Sequence, residues 1–146
     1  MVKIHVPGDG HSPPPPDPIA TYDPYTDLAK KNVVEDALRI LRNNVRGTSA
    51  CNNCFSQLPG GRTFDQIIDD DTIFIHYDPS DRFMANTLGN NITINEYSIS
   101  RGRWIVAATL VHELAHVNGA PGNTHAAEAT LPPCGFAALY DPSVQT

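Results

Sequence analysis

The first clear periodicity begins at Asp27. In DLAKKNVVEDALRILRNNVRG, Leu28, Val34, Leu38, Leu41 and Val45 recur at helical spacing, an Asp opens the run and Gly47 closes it. This predicts an amphipathic helix. TSACNNCFSQLPGGRTF follows as a turn-rich connection with a short helical piece around Cys51 to Leu58. The period then shortens. TIFIHYD, residues 72 to 78, is β-branched and aromatic and bounded by Asp and Pro, while ITINEYSI, residues 92 to 99, alternates Ile92, Ile94 and Glu96 against Thr93, Asn95 and Tyr97. Both predict strands. Ser100 is placed to cap a helix through RGRWIVAATLVHELAHVN that stops at Asn118-Gly119, with Pro121 just beyond. A second short helix over roughly 124 to 131 ends at Pro132-Pro133. The order predicts an α+β domain with a small mixed sheet, a backing helix and a histidine-bearing helix.

The lead has a different texture. GDGHSPPPPDPIATYDPY is rich in Pro, Gly and Asp and has no apolar period, so residues 1 to 23 are expected as a flexible, polyproline-like arm or linker, leaving 24 to 146 as the domain. A linker implies attachment to, or delivery by, a larger protein; the other reading is the tail of a stand-alone protein. At 146 residues the chain can build one core without disulfides. No run approaches the length of apolar residues that a membrane span needs. With net charge -6 and basic residues scattered apart from Lys30-Lys31 and Arg101/Arg103, no nucleic-acid footprint is expected. MVKIHVPGDG lacks the apolar core of a secretory signal, which leaves the compartment open, export or delivery as an effector included.

Candidate chemistry sits in VHELAHVNGAPGNTHAAEATLPPCGF, which holds three of the six histidines. His112 and His116 are four apart, so their rings leave one helix face a turn apart and can converge on one cation. Glu113 is about 100° around the helix, within reach of a metal-bound water without being a ligand. A catalytic zinc takes three protein ligands and keeps a position for water, so a third must return after the Gly119-Ala120-Pro121-Gly122 turn. His125 and Glu128 both follow it. His125 is preferred as ligand because a histidine has few other reasons to sit in a first helical turn, and Glu128 then becomes a partner that orients a ligand. The reverse assignment stays open. His5, His11 and His76 read as incidental. Cys51, Cys54 and Cys134 are too few for a cysteine scaffold. They allow one bridge, Cys134 with Cys51 or Cys54, or three reduced thiols.

The residues HELAH, with the helix and strands that precede them, resemble the zincin superfamily of zinc metallopeptidases. The likeness spans roughly 27 to 136 in element order but only 112 to 128 in motif. The metzincin branch would place its third His at Gly122 and add a methionine turn downstream, and with only Met1 and Met84 in the chain that branch is excluded. GNTHAAEA is similar to the deuterolysin-like pattern, in which the ligand three residues after a Gly is Asp where this chain has His125. The compact size and Pro-rich lead also resemble metallopeptidase modules that serve as bacterial toxin or effector domains. The resemblance implies a zinc-dependent endopeptidase acting on a protein or peptide, with Glu113 as general base. It implies a substrate strand paired along Ile92, Thr93, Ile94 and Asn95, and an oxyanion partner in Tyr140 or Tyr97. The alternative is a silent zincin-type scaffold that binds a peptide or protein in a secretion or toxin system.

Overall fold

The computed structural model describes residues 1–80 and 84–146. The domain is α+β, with the order β1 (Lys3–Ile4), α1 (Leu28–Ile40), a π-helical turn Leu41–Val45, α2 (Ser49–Ser56), α3 (Phe64–Ile68), β2 (Phe74–Asp78), β3 (Ala85–Leu88), β4 (Asn91–Asn95), α4 (Glu96–Ser100) and α5 (Arg103–Val117), followed by two short 3-10 turns. One four-stranded sheet runs β1-β2-β4-β3, with β2 parallel to β1 and β4, and β3 antiparallel to β4. Among the described residues no helix is long and apolar enough to cross a membrane.

Helix α1 is held at its start by the Asp27 carboxylate, which accepts from the Lys30 backbone N–H at 3.1 Å. Its expected face is buried at Val34, Leu38, Leu41 and Val45, but Leu28 is 69% exposed because it lies in the first turn, before the helix reaches the core. In the sheet, alternation sends Ile75, Ile92 and Ile94 to one face, where they join Val106, Leu110 and Leu114 of α5 and the aromatic pair Phe55 and Phe64 in the core. The other face presents His76, Thr93 and Asn95.

That polar face explains why the lead is not a free arm. Val2, Lys3 and His5 donate backbone hydrogen bonds to the carbonyls of Ile68, Ile73 and Ile75, each at 2.9 Å, and Asp23 bridges to Tyr77. Tyr22 and Tyr25 are buried, and the His11 ring stacks on Phe74 at 3.8 Å. The strand signal is short: Val2, Ile4 and Val6 alternate with Lys3 and His5 just ahead of the Pro- and Gly-rich run.

Three further boundaries differ from expectation. The strand through 92 to 99 ends at Asn95, whose side chain accepts from the Ser98 N–H at 2.9 Å and turns EYSIS into α4. Ser100 therefore closes α4 instead of capping α5, which begins after Gly102 at φ 96°, a left-handed conformation suited to glycine. The short helix over 124 to 131 shrinks to a 3-10 turn at Glu128–Thr130. Cys51 and Cys134 form the disulfide, tying α2 to the loop beyond Pro133, and Cys54 is free.

Candidate metal centre

Helix α5 is apolar almost all round, as a helix enclosed between α1, the sheet and the return loop must be, and it carries His112, Glu113 and His116 beside Thr87 of β3 and Glu128 of the return loop. Four residues of spacing bring the two rings together as expected: the Nε2 atoms are 3.3 Å apart and the ring centroids 5.0 Å. Each ring is oriented from behind. His116 Nδ1 donates to the Ala120 carbonyl at 2.7 Å, and His112 Nδ1 faces the Glu128 carboxylate at 3.3 Å. Burial holds His112 below its usual range, which favours the neutral ring, while the neighbouring Glu113 carboxylate pulls the other way.

Those partners fix the tautomers. With Nδ1–H engaged by an acceptor, a neutral ring turns its Nε2 lone pair away from that acceptor. The main-chain oxygen of Thr146 stands 2.7 Å from His116 Nε2 and 3.1 Å from His112 Nε2. Three polar atoms thus form a triangle of 2.7, 3.1 and 3.3 Å, and the Thr146 hydroxyl lies 3.1 Å from His112 Nε2 as a donor beside it. Two nitrogens on a tetrahedral zinc, each about 2.0–2.1 Å from it, stand about 3.3 Å apart. The imidazole pair fits zinc on this ground, and the support behind each ring is what ligating histidines require.

Side chains bring together two candidate ligands: no group of three His, Cys, Asp or Glu that could hold a metal is found among the described residues. His125, the preferred third ligand, is exposed, and its ring engages the Val144 carbonyl and Gln145. No hydrogen bond or ring contact joins it to His112 or His116. Glu128 does reach the pair, from the Nδ1 side, in the place of an orienting group. Its carboxyl is pushed up by burial, against the Asp141 backbone N–H that favours its ionised form.

Glu113 is buried. Its Oε2 accepts from the Thr87 hydroxyl at 2.5 Å, and the same hydroxyl lies 3.3 Å from the Glu113 carbonyl. Burial raises its pKa, while the charges of His112 and His116 and the Thr87 bond favour the ionised form. Thr87 belongs to β3 and was not anticipated. The signal was present in Leu88-Gly89-Asn90-Asn91, a two-residue turn of the hairpin type between β3 and β4.

That hairpin also corrects the substrate strand. Ile92, Thr93, Ile94 and Asn95 are buried in β4, which is hydrogen-bonded to β2 on one side and β3 on the other, so the strand has no free edge. The outer strand beside Glu113 is β3. Tyr97 is 49% exposed, its hydroxyl taken by Arg101 at 3.2 Å, and half-buried Tyr140 packs against the core. Neither is hydrogen-bonded to Glu113 or the histidine pair among the described residues.

The turn after α5 is anchored by Asn118. Its Nδ2 donates to the carbonyls of Phe55 and Arg62 at 2.9 and 2.8 Å, its Oδ1 accepts from the Arg62 N–H at 3.3 Å, and its own carbonyl accepts from the Gly60 N–H at 2.8 Å. Gly60 lies flat on it: a Cβ there would come within 2.4 Å of Asn118 Oδ1.

The remaining histidines, expected to be incidental, cluster at the polar face of the sheet. The rings of His5, His11 and His76 have centroids 4.9–5.4 Å apart. His11 Nε2 and His76 Nε2 both donate to Asn91 Oδ1, at 3.1 and 2.8 Å, and His5 Nδ1 pairs with Asp9 at 2.9 Å. They fasten the lead to β2 and β4. No protein-family model, curated protein or solved structure matches this chain.

Proposed function

We propose that this domain is a zinc-dependent endopeptidase whose metal is held by His112 and His116 and whose general base is Glu113. The observation that carries the reading is the meeting of two Nε2 lone pairs 3.3 Å apart, each ring oriented by an acceptor at Nδ1, next to a buried carboxylate on the same helix turn. Bound zinc would supply a Lewis acid for the scissile carbonyl and an acidified water.

The chain's own residues do the rest. Glu113 takes a proton from water as the water oxygen bonds to the peptide carbonyl carbon, then delivers that proton to the leaving nitrogen as the C–N bond breaks. Thr87 holds the accepting carboxylate in one orientation. Glu128 and the Ala120 carbonyl keep the imidazoles turned inward. An extended peptide is accommodated along β3 by strand addition, since β3 is the outer strand and Thr87 links it to Glu113.

The test is Glu113→Gln. It is expected to keep the fold and about one zinc per chain by metal analysis, and to lose peptide cleavage by about 1,000-fold or more. Full cleavage in that variant would remove Glu113 from the mechanism. Absence of zinc uptake by the unmodified protein would overturn the metal site, and zinc uptake with peptide binding but no cleavage would favour the silent peptide-binding scaffold.

A further inference from the structure

Residues 141–146 fold back over the histidine pair, and the last three are held there by hydrogen bonds to His125, His116 and His112. The Val144 carbonyl accepts from His125 Nδ1 at 3.0 Å, which leaves His125 Nε2 to accept from the Gln145 side-chain amide at 2.9 Å. Two residues on, the Thr146 main-chain oxygen points at His116 and His112, and the Thr146 hydroxyl reaches His112 Nε2 at 3.1 Å. The Val144 and Thr146 contacts run through main-chain oxygens, which a peptide of another sequence also presents, and the Gln145 amide and Thr146 hydroxyl add two side-chain contacts.

We infer that Val144–Thr146 is a self-bound occupant of the peptide cleft, and that His125 is the residue that grips the occupant's backbone two positions before the carbonyl facing the histidine pair. The inference deepens the peptidase reading of this cleft and rests on it. It assigns His125 a task other than metal ligation: a donor to the main chain of the acyl side of a substrate. It also makes the segment a built-in competitor, because any incoming peptide must displace it. A segment tethered by a few residues competes at an effective concentration of roughly millimolar, so one whose free form binds with a Kd of about 0.1 mM weakens any competing peptide about tenfold.

The experiment uses metal-free protein labelled with nitrogen-15 at histidine, and the synthetic hexapeptide Asp-Pro-Ser-Val-Gln-Thr as probe. Two chains are compared: the full chain and one ending at Tyr140, the removed residues contributing nothing to the buried core. The hexapeptide should bind the shortened chain at least tenfold more tightly than the full chain and return the His112, His116 and His125 ring signals to their full-chain positions. His125→Ala in the shortened chain should weaken the hexapeptide about tenfold while zinc stoichiometry stays unchanged. Equal binding to both chains, or none to the shortened one, overturns the self-occupancy. Loss of zinc uptake with peptide binding intact in His125→Ala overturns the role given to His125. Failure of the peptidase reading appears separately, as a protein that exchanges the hexapeptide as described yet takes up no zinc and cleaves nothing.

Discussion

Replacing Asn118 by Ala tests how the turn supports the proposed metal centre. The amide makes three hydrogen bonds in a fully buried position, two donated to the carbonyls of Phe55 and Arg62 and one accepted from the Arg62 N–H. At a net value of about 1 kcal/mol each, the loss is about 3 kcal/mol. In a domain of this size that lowers the melting temperature by about 10 °C. Asn118→Asp should be worse than Ala, because it can still accept from Arg62 N–H but sets a carboxylate oxygen against two carbonyls. The turn also presents the Ala120 carbonyl to His116 Nδ1, so zinc affinity should fall about tenfold in the Ala variant. Urea unfolding of the three proteins measures the first effect and competition with a chelator the second. If Asn118→Ala unfolds within about 0.5 kcal/mol of the parent, or Asp proves more stable than Ala, the amide is not the anchor described.

Three other predictions follow from separate parts of the molecule. Thr87→Val keeps the shape of the side chain but removes the donor to Glu113; about 2 kcal/mol of unfolding free energy should be lost at neutral pH, with Thr87→Ser near the parent, and an unchanged Val variant would dismiss the contact. His76 enters the fold neutral, burial holding its pKa at about 4 against 6.5 when free, so its contribution is complete above pH 6.5 and declines as pH falls towards 4. That limb is worth about 3 kcal/mol, read from unfolding free energies between pH 7 and 4, and should flatten in His76→Gln; parallel curves for the two proteins would refute it. Reducing the Cys51–Cys134 bridge, whose residues are 83 apart, should cost up to about 4.5 kcal/mol on chain-entropy grounds, and Cys54→Ser should leave that loss unchanged.

Much of the architecture was legible wherever one periodicity ran long enough. The helix from Leu28 and the helix bearing His112 and His116 both follow from apolar spacing, and the convergence of those two rings follows from four residues of separation. Short elements were lost to weaker signals. α3 is announced by Thr63-x-x-Gln66, a reciprocal capping box, inside a stretch that otherwise reads as loop. β3 has four half-buried or exposed residues and no alternation, so only its two-residue turn could have revealed it. The substrate strand was misplaced for the same reason, since without β3 the strand β4 looks like an edge. Which of His125 and Glu128 approaches the histidine pair could not be read from sequence at all. His125 and Glu128 are three apart on what would be one helix face, and which of them reaches His112 depends on a return path that tightens into a 3-10 turn.

The bridge between Cys51 and Cys134 closes a covalent loop that contains α3, β2, β3, β4, α4 and α5, together with His112, Glu113, His116 and Glu128. A backbone cut at any exposed turn inside that loop, Gly89-Asn90 or Pro121-Gly122 for example, leaves both fragments joined through sulfur. Under the proposed peptidase reading this topology offers tolerance of self-nicking: intact mass would rise by one water while the two pieces separate only after a thiol reductant is added.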